Sequence, residues 1–561
     1  MKTRLNLKRH LKKGIISISL IVILIISGGF ANKNFEIAKN LDIFATLYRE
    51  LHVNYIEEVN PSELIKEGIE GMLNSLDPYT EFISESETEE YRFMTTGQYG
   101  GIGALVQSRD SKIVISEPYE GFPAHKSGLK AGDVIIKVNN QSVEDKTSEE
   151  VSELLKGQPG TTVEVVVNRP VEPDFIEVTI EREVVKVDNI PYYGMLDDET
   201  GYIKLTDFTQ NAGRETREAL KELLEEEDIN NIVLDLRDNG GGLLNEAVNV
   251  TNLFIERNKK VASTESRIEE RNRTHNTLNN PVDTDIPLVV LVNSRSASAS
   301  EIVAGAIQDY DRGVIIGNRT FGKGLVQNVV SLSYNAKLKM TVAEYIIPSG
   351  RSIQAVDYAR RDEEGAVSRI PDSLKKPHET KNGRVVYDGG GIEPDIGVEP
   401  PTLSNISQAL IVNHLIFDFA TEFYYDNPEI EDARRFEITS EIYNQFRDYV
   451  SEKEYDYKTD SEKQLSELKE ALKKDKYEED LKEYTTELEN QIHKKKSKDL
   501  GIFQDEIKHL LIMEIIPRYY YQSGRVEASL SRDKAVVKAS EVLDDKKYYN
   551  EILSVDNNNE E

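Results

Sequence analysis

Cysteine is absent from all 561 residues, and its absence excludes three chemistries at once: a disulfide, a thiolate nucleophile and a metal site built on sulfur. It leaves the redox compartment open. Basic charge is also short. The chain has 69 Lys and Arg against 100 Asp and Glu, a formal net charge of −31, with no basic stripe beyond the first residues. A nucleic-acid surface needs clustered cations to displace counterions from phosphates, so no nucleic-acid partner is expected and the acidity reads as solubility. Histidine is sparse. None of the 8 histidines stands in a segment with nucleophile, acid or metal spacing, so neither a Ser-His-Asp arrangement nor a zinc site has support, and no metal or nucleotide cofactor is expected.

At the N-terminus, "MKTRLNLKRHLKKG" is basic and "IISISLIVILII" is apolar, followed by Ser27, Gly28, Gly29 and Ala31. This is the layout of an export signal. The apolar run is short for a spanning helix, which needs about 20 residues, yet retention as an anchor stays open beside cleavage after Ala31. Residues 1–31 are therefore expected to be a signal peptide or N-terminal membrane anchor. The bulk is expected outside the cytoplasm, periplasmic or held at the outer face of the inner membrane.

The length implies three or four structural units. From 32 to about 96 the pattern is helical: Asn60 can cap, Pro61 suits the first helical position, and Leu64, Ile65, Ile69, Met72, Leu73 and Leu76 share one face. From 97 to 184, glycines lead into short alternating segments such as "DVIIKVN" and "FIEVTIE", which read as strands. One helix interrupts them, with Thr147 and Glu150 as a capping box and Gly157 as its stop. From 185 to 400 the texture is α/β. "NNIVLDLR", "PLVVLVN" and "GVIIGN" are continuous apolar runs, expected of strands buried on both faces, and they alternate with helical segments. The region 401–561 reads as a charged helical extension. In it Leu465, Leu468, Leu472, Leu481, Tyr484, Leu488 and Ile492 are spaced for a solvated helix with one buried face.

"VLVNSRSASASEI" joins a buried strand to a helix start. A serine there has helix N-terminal amides nearby to receive an oxyanion, but a Ser-Ala-rich helix start is also an ordinary capping device. A nucleophilic serine needs a base. Lys323, between two glycines and before Leu325 and Val326, is a poor place for a lysine that serves only solubility, and burial would disfavour its charged form. Gln327, four residues on, can hold the amine. A lysine in a glycine turn remains the bland alternative. "DLRDNGGGLL" sets three glycines between strand and helix, where amides can approach a ligand. The Lys and Ser/Thr of a phosphate-binding loop are missing.

Together these residues resemble the C-terminal processing peptidases, or tail-specific proteases. The likeness runs from about Leu76 to Asp395 through "LDPYT", "GGIG", "SGLKAGDVIIKVNNQSV", "VLDLRDNGGGLL", "SASASEIVAGAIQDY", "GNRTFGKGLVQ", "PSGRSIQ" and "DGGGIEPDI", in that order. The resemblance implies a multidomain protein with an α/β protease core of crotonase/ClpP-like type and an inserted PDZ domain at 97–184. It implies a serine endopeptidase with a Ser-Lys dyad, whose nucleophile precedes the base by 25 positions, with an assisting glutamine four beyond. That register selects Ser298, Lys323 and Gln327, and leaves Ser294, Ser296 and Ser300 to packing, capping or the oxyanion loop. It assigns the oxyanion donors to Gly241 or Gly242 and the amide of Ala299. Many members carry glycine where Arg295 stands, a departure that alters the mouth of the site.

"YGGIGALV" and "SGLKAGDVIIKVNNQSV" resemble a PDZ domain, and the implied partner is an unstructured C-terminal peptide. Gly101, Ile102 and Gly103 would expose amides to its carboxylate, the edge from Ile102 to Val106 would accept it as a new strand, and Ile102, Leu105, Val151 and Leu155 would supply the side-chain pocket. Capture would reorient the domain through the connector at Ile180–Val184. A non-catalytic PDZ scaffold is the alternative of another class. Homo-oligomerisation through the helical regions stays open.

Overall fold

A computed structural model of the chain describes residues 34–170, 172–361 and 367–554. The expected signal or anchor at 1–31 lies outside them. No helix among the described residues is long and apolar enough to cross a membrane. The chain divides into two units, one made of residues up to Phe82 with Leu338–Met340, the other of the remainder. In the first, a helix over 34–54 precedes α1 (Pro61–Asn74). The Asn60 side chain accepts from Ser62 N–H at 3.0 Å and Pro61 opens the helix, as its sequence asks. Tyr48 Oη donates to Pro61 O at 2.7 Å, tying the two helices.

The second unit begins its β-rich part with β1 (Gln98–Gly101), followed by β2 (Ala104–Arg109), β3 (Lys112–Pro118), β4 (Val134–Val138), α2 (Ser148–Leu155), β5 (Thr162–Asn168), β6 (Ile176–Glu181) and β7 (Glu183–Lys186). β2 to β6 form an antiparallel sheet in the order β2-β3-β4-β5-β6, with β2 at the edge. The Thr147 and Glu150 capping box starts α2 as expected. β1 and β7 pair as a two-stranded ribbon carrying the chain into and out of this sheet.

The central sheet and its helices follow, with β8 (Tyr192–Met195), β9 (Thr200–Lys204), α3 (Ala212–Glu226), β10 (Asn231–Asp235), α4 (Leu244–Thr251), β11 (Leu288–Val292), α5 (Ala299–Asp309), β12 (Val314–Gly317) and β14 (Ile396–Gly397), while β13 (Leu325–Ser331) belongs to a separate sheet. The order of the central sheet is β8-β9-β10-β11-β12-β14, parallel from β9 onward. Alternation along each strand divides the side chains between two cores. Ile203, Ile232, Leu234, Leu288, Val290 and Ile315 pack with α3, α4 and α5.

The opposite residues, Tyr202, Val233, Val289, Leu291, Val314 and Ile316, pack with Ala535, Val536, Ala539, Val542, Leu543 and Tyr549. These come from α13 (Lys534–Asp544) and α14 (Lys546–Ile552), which follow α6 (Asn405–Val412), α7 (Leu415–Asp426), α8 (Ser440–Ser451), α9 (Asp460–Asp475), α10 (Glu478–Lys496), α11 (Gln504–Ile515) and α12 (Pro517–Ser529). The region is helical, and its last helices are the second cover of the central sheet. Tyr549 Oη also bonds Leu288 N–H at 3.0 Å. Leu543→Ala is expected to cost about 3 kcal/mol, by lost burial and the cavity left behind. A urea or thermal unfolding midpoint equal to wild type would count against this packing.

The remaining helices make a core of their own around Phe419, Phe423, Phe446, Leu511 and Ile515. The single helix expected across Leu465–Ile492 is two, because Lys476 takes a left-handed conformation and ends α9. Of that stripe only Leu465 is buried, while Leu468, Leu481, Tyr484 and Leu488 remain exposed.

This helical region also grips the β-rich sheet. Arg109 pairs with Asp418 at 2.7 Å, Arg525 with Glu117 at 2.6 Å, and Tyr521 Oη meets His125 Nε2 at 2.8 Å. Reorientation about Ile180–Val184 alone would have to break all three.

Candidate active site

Parallel strands present all their C-terminal ends on one edge of a sheet, the usual place for a ligand site in open α/β sheets. The glycine loop leaves that edge after β10, the serine loop after β11, and the Lys323 segment after β12.

Geometry sorts the four serines. Ser294 is exposed. Ser296 is buried, its Oγ donating to Leu236 O at 2.8 Å and accepting from Asn293 N–H at 2.9 Å. Ser300 is buried and donates to Asn239 O at 2.9 Å. Ser298 is half-buried and stands at the cap of α5 with φ 54° and ψ −109°. It is the only one of the four with positive φ. An ordinary left-handed residue has ψ near about +47°, so this backbone is strained by roughly 1–3 kcal/mol. A strained strand-to-helix turn is how a hydroxyl is lifted out at the top of a sheet.

Glu301, in the first turn of α5 and fully buried, joins the serine to the lysine. Its Oε2 accepts the N–H of Ser298 and the N–H of Lys323, each at 2.8 Å. Its Oε1 accepts from Thr320 Oγ1 at 2.6 Å and Gly322 N–H at 2.7 Å. Burial raises the Glu301 carboxyl above the usual glutamate range, against hydrogen bonds from Thr320, Lys323, Ser298 and Gly322 that act the other way. Sequence reasoning did not single out Glu301. The signal was present, since Ser298 and Glu301 have the Ser-x-x-Glu spacing of a capping box.

Gln327 lies on β13, where its amide nitrogen donates to Leu325 O at 3.0 Å and Thr341 Oγ1 at 3.5 Å. These bonds anchor it to its own strand and to Thr341.

The glycine loop is organised by Asn239, which donates to Leu205 O at 2.9 Å and whose carbonyl accepts from Ala297 N–H at 3.0 Å. Gly241 has φ +102°, and a Cβ there would lie 2.9 Å from Ser298 Cβ and 3.0 Å from Ala299 N. Only glycine permits this approach. Gly241, one of the two expected glycine donors, gives its N–H to Asn239 Oδ1 at 2.9 Å. Gly242 packs against Phe208 O. Ala299 supplies the first amide of α5, one with no intrahelical acceptor.

Beneath the loop, the buried Asp235 accepts from Tyr202 Oη at 2.6 Å and Arg237 Nη2 at 2.6 Å, with Lys204 Nζ at 3.2 Å. Burial alone would raise this carboxyl. The charges of Arg237 and Lys204, with hydrogen bonds from Arg237 and Tyr202, hold it well below the usual carboxylate range. At the mouth, Arg295 Nε donates to Asp238 Oδ1 at 2.6 Å, and Asp238 exchanges hydrogen bonds with Asn293. The departing Arg295 thus latches the serine loop to the glycine loop.

In the β-rich part, Leu105 is half exposed on the edge strand β2. Three of the expected pocket residues, Ile102, Val151 and Leu155, are instead buried in the domain core. The edge also begins at Ala104 rather than Ile102, whose carbonyl accepts from Ala124 N–H at 2.7 Å. Gly103 has φ +72°, with Phe122 where a Cβ would go. Gly101 closes β1 against Glu183.

Residues 199–359 match the sequence model of Peptidase family S41, 114–169 that of a PDZ domain, and 406–543 that of a probable PDZ-protease C-terminal helical domain. The carboxy-terminal-processing protease of Bartonella bacilliformis is 34% identical over 321 residues, 57% of this chain and 73% of that one. The chain belongs to the carboxy-terminal-processing serine protease family. A probable CtpA-like serine protease of Staphylococcus aureus is 34% identical over 317 residues, 56% of this S41 peptidase and 62% of the relative. Among solved structures, a photosystem II D1 C-terminal processing protease is 29% identical, covering 63% of this chain and 86% of its own, with a TM-score of 0.36.

Proposed function

We propose that this S41 peptidase is an exported serine endopeptidase that captures unstructured, apolar C-terminal tails through its PDZ domain and cleaves by a Ser-Lys acyl-enzyme mechanism. The observation that carries the reading is the strained turn at Ser298, tied through the Glu301 carboxylate to the backbone of Lys323. In the first step Ser298 Oγ attacks the scissile carbonyl carbon as its proton passes to Lys323 Nζ. The tetrahedral oxyanion is received by the Ala299 amide and a glycine-loop amide, for which Gly242 is preferred because Gly241 is engaged. Lys323 then returns the proton to the leaving amine, the C–N bond breaks, and an acyl ester remains on Ser298. Water, deprotonated by Lys323, attacks that ester, the bond from the acyl carbon to Ser298 Oγ breaks, and Lys323 returns the proton to Oγ as the acid leaves.

Export rests on the basic and apolar layout of residues 1–31. Tail capture rests on the open edge of β2 beside the glycine turn ending at Gly103. The test is cleavage of an unfolded protein ending in an apolar tail, offered as free acid and as amide. A charge-assisted hydrogen bond to the carboxylate contributes about 1.5–3 kcal/mol, so amidation is expected to raise KM about 10-fold or more while kcat holds. Identical KM values would remove the capture reading. Binding of the tail with no cleavage would favour the scaffold alternative.

A further inference from the structure

Asp533 opens α13 in the helical domain, 296 positions from Arg237, yet the two side chains touch. Its Oδ1 accepts from Ala535 N–H at 2.9 Å and Val536 N–H at 3.1 Å, capping the helix. Its Oδ2 accepts from Arg237 Nη1 at 2.7 Å. The rest of the Arg237 guanidinium clasps Asp235 through Nε and Nη2, and its carbonyl accepts from Lys204 Nζ at 2.8 Å. The next residues are Asp238, latched to Arg295 and Asn293, and Asn239, which holds Ala297 and Gly241. Arg237 is therefore the point at which the glycine loop is gripped from outside the α/β core.

We infer that Asp533 is a positioning residue for the peptidase site: through Arg237 it fixes the glycine loop against Ser298, coupling the helical domain to the chemistry as well as to the fold. The inference rests on the reading of Ser298 and the glycine loop as the catalytic site. Without the Asp533 charge, one edge of a largely buried guanidinium loses its acceptor, and Arg237 can turn wholly onto Asp235. The loop that follows then loses its outer anchor. Misplacing an oxyanion donor acts on the transition state, and losing one outright costs about 100–1,000-fold in kcat.

The test is Asp533→Asn. Asparagine caps a helix as well as aspartate does, so the cap survives while the charge on Arg237 is removed. The expected result is a kcat about 10-fold lower by partial loss of that donor, with KM and the unfolding midpoint unchanged. Arg237→Lys also loosens the clasp on Asp235 and should lower kcat at least as far, and the double variant should fall no further than Arg237→Lys, where the Asp533 contact is already gone. Wild-type kcat in Asp533→Asn overturns the inference, as does a loss of activity that only tracks a loss of folded protein. Ser298→Ala in the same assay keeps the two readings apart: activity there would refute the nucleophile, whereas an inactive Ser298→Ala beside an unimpaired Asp533→Asn refutes only the positioning role.

Discussion

Ser298→Ala is expected to lower kcat/KM on a tailed, unfolded protein substrate by about 10,000-fold, with the residue left by binding and oxyanion stabilisation alone. Lys323→Ala should fall about as far, because groups that act as one unit are not additive, and the double variant should be no worse than either. Ser294→Ala, which removes an exposed hydroxyl, should match wild type. Steady-state cleavage across the four variants checks this. Among the four serines of the loop, Ser298 combines a strained strand-to-helix turn with a close approach to Gly241, and one carboxylate links its amide to that of Lys323.

The choice among the serines shows what the sequence could and could not carry. Composition and junction chemistry favoured an ordinary helix cap over a nucleophile, and the register of the resembled family selected Ser298. Of the four serines Ser298 has the positive φ, while the hydroxyls of Ser296 and Ser300 tie the serine loop to Leu236 and Asn239. The role of the last helices was half legible. Strands such as Leu288–Val292 are apolar at every position, which requires cover on both faces, yet the helices between them can supply only one. The second cover, at Val536 and Leu543, lies more than 200 residues downstream of these strands, and periodicity says which residues are buried but not against what. Ile102, Val151 and Leu155 lie in the core of the β-rich part, and an apolar residue beside a groove and one in the core beneath it look alike in a sequence.

The second large effect is expected at Glu301. All four groups bonded to its carboxylate in this structure are donors, two to each oxygen. Glu301→Gln turns one of those oxygens into an NH₂ facing donors, so two hydrogen bonds are lost and the Ser298 or the Lys323 segment must shift. Since misplacement of about 1 Å costs about 100-fold, kcat is expected to fall by that order with KM little changed.

The pH dependence follows from the same carboxyl. Activity needs the ionised acceptor as well as an unprotonated Lys323, so the fall of wild-type kcat with falling pH should steepen through the raised value of Glu301, and Glu301→Gln should keep the lysine limb without that steepening. Stability runs the other way. A carboxyl raised by folding contributes stability that is fully present below its unfolded value and lost as pH rises through its folded value. Acid inactivation through Glu301 should therefore occur without unfolding, as circular dichroism and kcat recorded together would show. An unaltered acidic limb in Glu301→Gln would contradict this assignment.

The central claim is that Ser298 is the nucleophile and that Lys323 activates it. Its most direct measurement is mass spectrometry of the protein after reaction with a fluorophosphonate, which phosphonylates an activated serine with loss of fluoride. One adduct per chain, on the peptide containing Ser298 and absent from Lys323→Ala, is the expected result. An adduct on another serine, or undiminished labelling of Ser298 in Lys323→Ala, would contradict it.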